Sequence, residues 1–166
     1  MIDIIIDRLT NSIRNTISGD QFNTEIIQVI VSERGITKKD WAFDWQKEVQ
    51  DVNKEVYKLV IVNNENINRG LLSITDNNDH IFMNLIESAK FNKGKNKLYE
   101  GVPGNLVAFA CRLSFEKGYD GVVSFIAKTK LVNHYKTSLG ATIFHGDQMF
   151  IDTPAALRLI RQYFNK

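Results

Sequence analysis

Apolar residues fall into short runs of strand type through the middle of the chain and into helical spacing after it. Residues 55–62, 70–75 and 80–87 are rich in β-branched and aromatic side chains, with polar turns at 63–66 and 76–79. Loops this short join neighbours, so the three runs predict an antiparallel meander. A polar loop over 88–102 leads into a helix from about 103 to 117, closed by Gly118. Residues 121–127 form a further strand, and Thr129 is placed to cap a helix over 130–139 that Gly140 ends. Residues 141–145 and 148–152 make a hairpin around Gly146-Asp147. Thr153-Pro154 then caps and starts a last amphipathic helix, with Ala156, Leu157, Ile160 and Phe164 on one face. The first 50 residues are less patterned. Residues 2–7 and 24–31 read as strands around a polar stretch from Arg8 to Asn23. Trp41, Trp45 and Val49 give helical spacing over 38–52. The order predicts a mixed α/β (α+β) fold with a central sheet.

Composition narrows the function classes. A chain of 166 residues forms one domain and buries about two thirds of its unfolded surface. The net charge of +2 gives no support to a nucleic-acid partner. The single cysteine, Cys111, excludes an internal disulfide framework. No segment approaches the roughly 18 apolar residues of a membrane span. The opening Met1-Ile-Asp-Ile-Ile-Ile-Asp7 is short and acidic, which suits a strand and not a signal peptide. These features point to a cytoplasmic protein without a membrane partner. His80, His134 and His145 lie in different elements without ligand spacing, so no metal site is expected.

The stretch from Leu98 to Leu106, Leu-Tyr-Glu-Gly-Val-Pro-Gly-Asn-Leu, runs directly into the apolar helix. Glycines before a helix let a ligand approach the backbone, and the first N–H groups of a helix attract anions. With the element order, this stretch resembles the GNAT superfamily of acetyl-CoA-dependent N-acetyltransferases over about residues 53–152. The family's pyrophosphate loop, Gln/Arg-x-x-Gly-x-Gly/Ala, falls on Leu98, Gly101 and Pro103, with Leu106 the buried helix residue. The family's Asn/Ala-x-x-x-x-Tyr-x-x-x-Gly-Phe helix falls on Lys130 to Ala141, with Tyr135 at the tyrosine and Ala141 in place of the aromatic.

The resemblance implies a GNAT-like sheet, mixed and mostly antiparallel, flanked by helices. Residues 1–52 would form the acceptor side, 53–152 the cofactor core and 153–166 a terminal helix. Acetyl-CoA would be the cosubstrate, its arm lying between strands 84–89 and 122–127. Ser88 would meet the thioester carbonyl, and Gly101, Val102, Gly104, Asn105 and Leu106 would form the phosphate end. The acceptor would be a small-molecule or peptide amine, and the resemblance admits a homodimer. Tyr135 is placed to return a proton to the leaving thiolate; a phenol with a pKa near 10 serves an acid near 8.5 only where the site helps. Glu87 could take the amine's proton, and Asn84 could orient a water or substrate. Asp44 beside Trp45 and Trp41 suits a cationic amine, though two core tryptophans explain the pattern equally. The four lysines of Lys90 to Lys97 could meet a 3′-phosphate or an RNA backbone, or form a solvated loop. Two alternatives stay open: an inactive acyl-CoA-binding sensor, and a toxin-like enzyme acting on aminoacyl-tRNA. Cys111 reads as a small core residue.

Overall fold

A computed structural model describes residues 1–7, 12–93 and 97–164. Residues 8–11 of the polar stretch and residues 94–96 of the lysine-rich loop, Lys95 among them, lie outside the described residues.

In chain order the elements are β1 (Ile13–Asn15), β2 (Gln21–Phe22), β3 (Thr24–Gln28) and α1 (Trp45–Gln50). The meander follows as β4 (Glu55–Ile61), β5 (Gly70–Asp76) and β6 (Ile81–Ser88). After β7 (Tyr99–Glu100) come α2 (Val102–Glu116), β8 (Val123–Ile126) and α3 (Val132–Leu139). The chain closes with β9 (Thr142–His145), β10 (Gln148–Ile151) and α4 (Thr153–Tyr163). One seven-stranded sheet runs β3-β4-β5-β6-β8-β10-β9, and β2-β1-β7 form a small second sheet. Every neighbouring pair in the large sheet is antiparallel except β6–β8, which α2 joins as a parallel crossover. Among the described residues four helices flank this mixed, mostly antiparallel sheet, and the fold is GNAT-like.

Two apolar clusters pack on the sheet. The larger joins Leu59, Leu72 and Ile74 of the meander to Leu106, Val107 and Ala110 of α2 and to Leu159 and Tyr163 of α4. The smaller holds Trp41, Trp45, Ile36, Val56 and Leu71. Each fully buried Val or Leu contributes about 2 kcal/mol over an exposed one.

The meander, the crossover helix and the closing hairpin stand where the sequence pattern puts them. Several details differ. Residues 2–7 lie extended, but their backbone pairing is a single bridge, Ile2 to Ala127. The helix expected over 38–52 is limited to Trp45–Gln50, because Asp44 caps it by accepting the Lys47 N–H at 3.1 Å. Thr129 caps nothing; its hydroxyl donates to Asp147 at 2.8 Å. The cap of α4 is Asp152, not Thr153. The small sheet was not legible, since its strands are two or three residues long.

One irregularity positions the site. Ser73 of β5 pairs with Leu85 but Ile74 pairs with Met83, leaving Asn84 as an extra residue in β6. Such a bulge bends its strand and raises the local twist. Pairing of β6 with β8 covers only Ile81–Met83 against Val123–Phe125 and ends at that bulge. From there to Ser88 the two parallel strands part.

Candidate active site

The parting of β6 and β8 opens outside the carboxyl ends of two parallel strands, where open sheets bind ligands. The start of α2 stands at its head, with Gly101 at φ 97°, a left-handed conformation that glycine adopts without strain. The expected gap between 84–89 and 122–127 therefore exists.

Residues 1–7 of the chain lie in it. The Ile2 N–H donates to the Ile126 carbonyl at 2.6 Å, and the Lys128 N–H donates to the Ile2 carbonyl at 2.9 Å. The Ile4 N–H donates to the Tyr135 hydroxyl at 3.0 Å, and that hydroxyl donates to the Ile4 carbonyl at 2.6 Å. The Ile6 N–H donates to Nε2 of His134 at 2.8 Å. Asp7 completes the run: its Oδ1 accepts the Gly101 N–H at 3.2 Å and its Oδ2 pairs with the Lys97 ammonium at 2.9 Å. Ile2 and Ile6 are buried while Ile5 is exposed, so the segment turns alternate side chains into the core.

Tyr135 is 0% exposed, its ring edge-on to Phe125 with centroids 5.5 Å apart. Burial pushes its pKa up to about 12. Both faces of its hydroxyl chemistry, donor and acceptor, are spent on Ile4. Glu87 is 2% exposed and accepts from four donors: the N–H groups of Ala42 (2.8 Å) and Phe43 (3.1 Å), the Trp45 indole (2.9 Å) and the Lys93 ammonium (2.7 Å). Burial raises its pKa, but the Lys93, Ala42, Trp45 and Phe43 hydrogen bonds outweigh it and hold the carboxyl below its usual range. A carboxylate so engaged anchors the segment around residues 42–45.

The other sequence candidates divide. Ser88 is buried, pairs with Gly70, and lines a cavity of about 360 Å³ with Glu87, Asn92, Lys93, Lys97 and Pro103. The side-chain amide of Asn84 donates to the hydroxyls of Thr75 (3.0 Å) and Ser73 (3.3 Å) on β5. Asp44 is an exposed helix cap and Trp45 a fully buried core residue. Val102, Gly104, Asn105 and Leu106 are all buried. The Asn105 amide donates to the Gly101 carbonyl at 2.8 Å, folding back onto the helix start. A Cβ on Gly104 would stand 1.8 Å from the Tyr163 hydroxyl, so this glycine serves the contact between α2 and α4. Lys90 donates to the Lys39 carbonyl, Lys93 binds Glu87 and Lys97 binds Asp7, so each of these three lysines has a partner within the chain.

Four residues in and around the site carried no usable signal in the sequence. Asp7 and Ile4 sit in a segment whose pattern says strand but names no partner. Asn92 is 6% exposed, and its Nδ2 has no hydrogen-bond partner among the described residues. Arg69, buried between the rings of Phe91 (5.4 Å) and Tyr99 (4.8 Å), was equally silent. Burial raises the Cys111 thiol pKa, as expected of a core cysteine. Among the described residues no cluster could hold a metal ion, and no helix is long and apolar enough to cross a membrane.

The resemblance implies acetyl-CoA, whose fit to this cleft can be tested on the bonds. With residues 1–7 in place, the Tyr135 hydroxyl, the Gly101 N–H, the Lys97 ammonium and the backbone at 126–128 are all engaged from within the chain. Acetyl-CoA would reach these groups only with residues 1–7 displaced.

No family model matches the chain, and the search of curated proteins found no match. Among solved structures, a chain of the KacTA–DNA complex superposes with a TM-score of 0.55, covering 82% of this chain and 98% of that one. The two are 11% identical, so the likeness concerns the fold alone. The chain thus has a GNAT-like fold, with the crevice between β6 and β8 filled by its own residues 1–7.

Proposed function

We propose that this protein is an acetyl-CoA-dependent N-acetyltransferase that moves an acetyl group to a primary amine within a ternary complex. The observation that carries this reading is the bulge at Asn84. It ends the β6–β8 pairing and opens a crevice at the carboxyl ends of two parallel strands, directly below the start of α2. A helix start favours anionic groups, and a parted strand edge offers backbone donors and acceptors to an amide-bearing arm. Tyr135 borders the same crevice.

The bonds of Glu87 and Tyr135 favour a second reading, a protein that binds acyl-CoA without turnover. Glu87 has no free lone pair pointing at an acceptor amine in this arrangement, and the Tyr135 proton is committed to Ile4.

Incubating the intact protein with millimolar acetyl-CoA and a panel of primary amines, while following free thiol release, separates the two. Amine-dependent thiol release supports the transferase. Calorimetric binding of acetyl-CoA without release supports the binding protein. Neither signal sinks both readings.

A further inference from the structure

We infer that residues 1–7 are an intramolecular stand-in for the acyl-CoA cofactor: the chain closes its own cleft, and a ligand enters only when this segment leaves. The inference rests on the acyl-CoA reading above.

Three features of the segment match, group by group, what the cleft would need from such a ligand. An amide-bearing arm is matched by the backbone of Ile6, whose N–H donates to Nε2 of His134. A phosphate is matched by the Asp7 carboxylate, held by the Gly101 N–H and the Lys97 ammonium. A group presented to the Tyr135 hydroxyl is matched by the Ile4 peptide. All three lie on one extended stretch, in the order in which the crevice runs from β8 to the start of α2.

The manner of attachment separates this stretch from a permanent strand. A strand of the sheet is held by a ladder; β4 and β5, for example, stay in register over five residue pairs. Residues 1–7 make one bridge. Their other attachments include the Met1 ammonium on the Asn84 carbonyl at 3.4 Å, a phenol, an imidazole, a helix-start N–H and an ammonium. The Asp3–Lys128 pair at 3.0 Å is partly exposed and adds little. Each hydrogen bond is worth about 1 kcal/mol net, so a segment held at separate points opens without melting the sheet. Buried Ile2 and Ile6 supply the rest of the hold.

The space left beside the segment is also polar in the right sense. Asn92 Nδ2, buried and without a partner among the described residues, lines the adjoining cavity with Lys93 and Lys97. Withdrawal of Asp7 would free Lys97 and the Gly101 N–H next to it. The emptied end would then present donors and positive charge, the chemistry of a phosphate site.

The test uses the full chain in a form that can be locked and unlocked. Ile2 and Ala127 are bridge partners, and paired strands bring Cα atoms within the span of a disulfide. The I2C/A127C variant is titrated calorimetrically with acetyl-CoA, oxidised and then reduced, beside the intact protein and Ile4→Pro. The proline removes the N–H given to Tyr135. The expected result is no binding by the oxidised form, recovery on reduction, and affinity about ten-fold above the intact protein in Ile4→Pro, because the competent fraction rises. Equal affinity of the oxidised and reduced forms overturns the stand-in while leaving acyl-CoA binding intact. No binding by any form, with cooperative melting of each, overturns the acyl-CoA reading and the stand-in together. Should Ile4→Pro fail to fold, the oxidised and reduced pair decides alone.

Discussion

Helices α2 and α4 both carry a proline in their first turn, and Gly104 at the start of α2 meets Tyr163 at the end of α4, yet their starts are completed differently. Asp152, the residue immediately before α4, accepts the Ala155 N–H at 3.0 Å. No side chain of its own neighbourhood caps α2; its start meets the carboxylate of Asp7, which arrives from 94 residues away. A local cap forms with the helix and stays with it. A distant one is a separate equilibrium, and any other anion of suitable shape competes for the same place. The comparison explains why one helix start is closed architecture and the other is a candidate binding site.

Perturbations of the two starts should therefore separate stability from ligand affinity. The largest loss is expected where the helices meet. Gly104→Ala would ordinarily favour a helix by nearly 1 kcal/mol, but here its Cβ collides with Tyr163, and a net destabilisation of about 3 kcal/mol is expected in a denaturant melt. An unchanged midpoint would mean that α4 does not press on the start of α2. Glu87→Gln comes next, at about 2 kcal/mol, since a carboxamide cannot satisfy four donors. Because the folded-state pKa of Glu87 lies below its ordinary 4.5, its contribution is present above that pH and fades as pH falls further. The variant's stability should accordingly fall less steeply in acid than that of the parent.

The caps themselves give the sharpest contrast. Asp152→Ala should cost about 1 kcal/mol in thermal melts and leave acetyl-CoA titrations unchanged. Asp7→Ala should cost about 0.5 kcal/mol or less and raise acetyl-CoA affinity. If both variants lose stability alike and neither binds better, the two starts are equivalent and the distinction fails. The smallest effect concerns His134, whose imidazole accepts the Ile6 N–H. Burial lowers its pKa from the ordinary 6.5, so the folded form holds it neutral and binds fewer protons than the unfolded chain. The attachment is intact above that pH and weakens as pH falls below it. Protection factors at residues 2–6, corrected for the intrinsic pH dependence of exchange, should fall modestly between pH 7.5 and 5.5, and His134→Gln, which keeps an acceptor, should remove the response.

The meander, the crossover helix and the closing hairpin were legible because each depends on neighbours in sequence: alternation from Glu55 to Glu87, Gly118 and Gly140 after helices, Gly146-Asp147 at a turn. The candidate site was legible only in outline. Tyr135 and Gly101 do border the crevice, but Asp44, Trp45 and Asn84 are a cap, a core residue and a bulge residue bonded to β5. Nothing in their local pattern distinguishes those roles from contact with an amine.

The sequence by itself determined the order of elements and the sheet's core, because hydrophobic period and turn chemistry act over a few residues and tolerate little ambiguity. Only the tertiary structure decided what fills the crevice and which charges answer one another. Asp7 meets Gly101 and Lys97, Glu87 gathers donors from residues 42, 43, 45 and 93, and Ile4 meets Tyr135 across 131 residues. Such pairings are fixed when distant segments compete for the same buried place, and a linear pattern of polar and apolar residues carries no record of who wins.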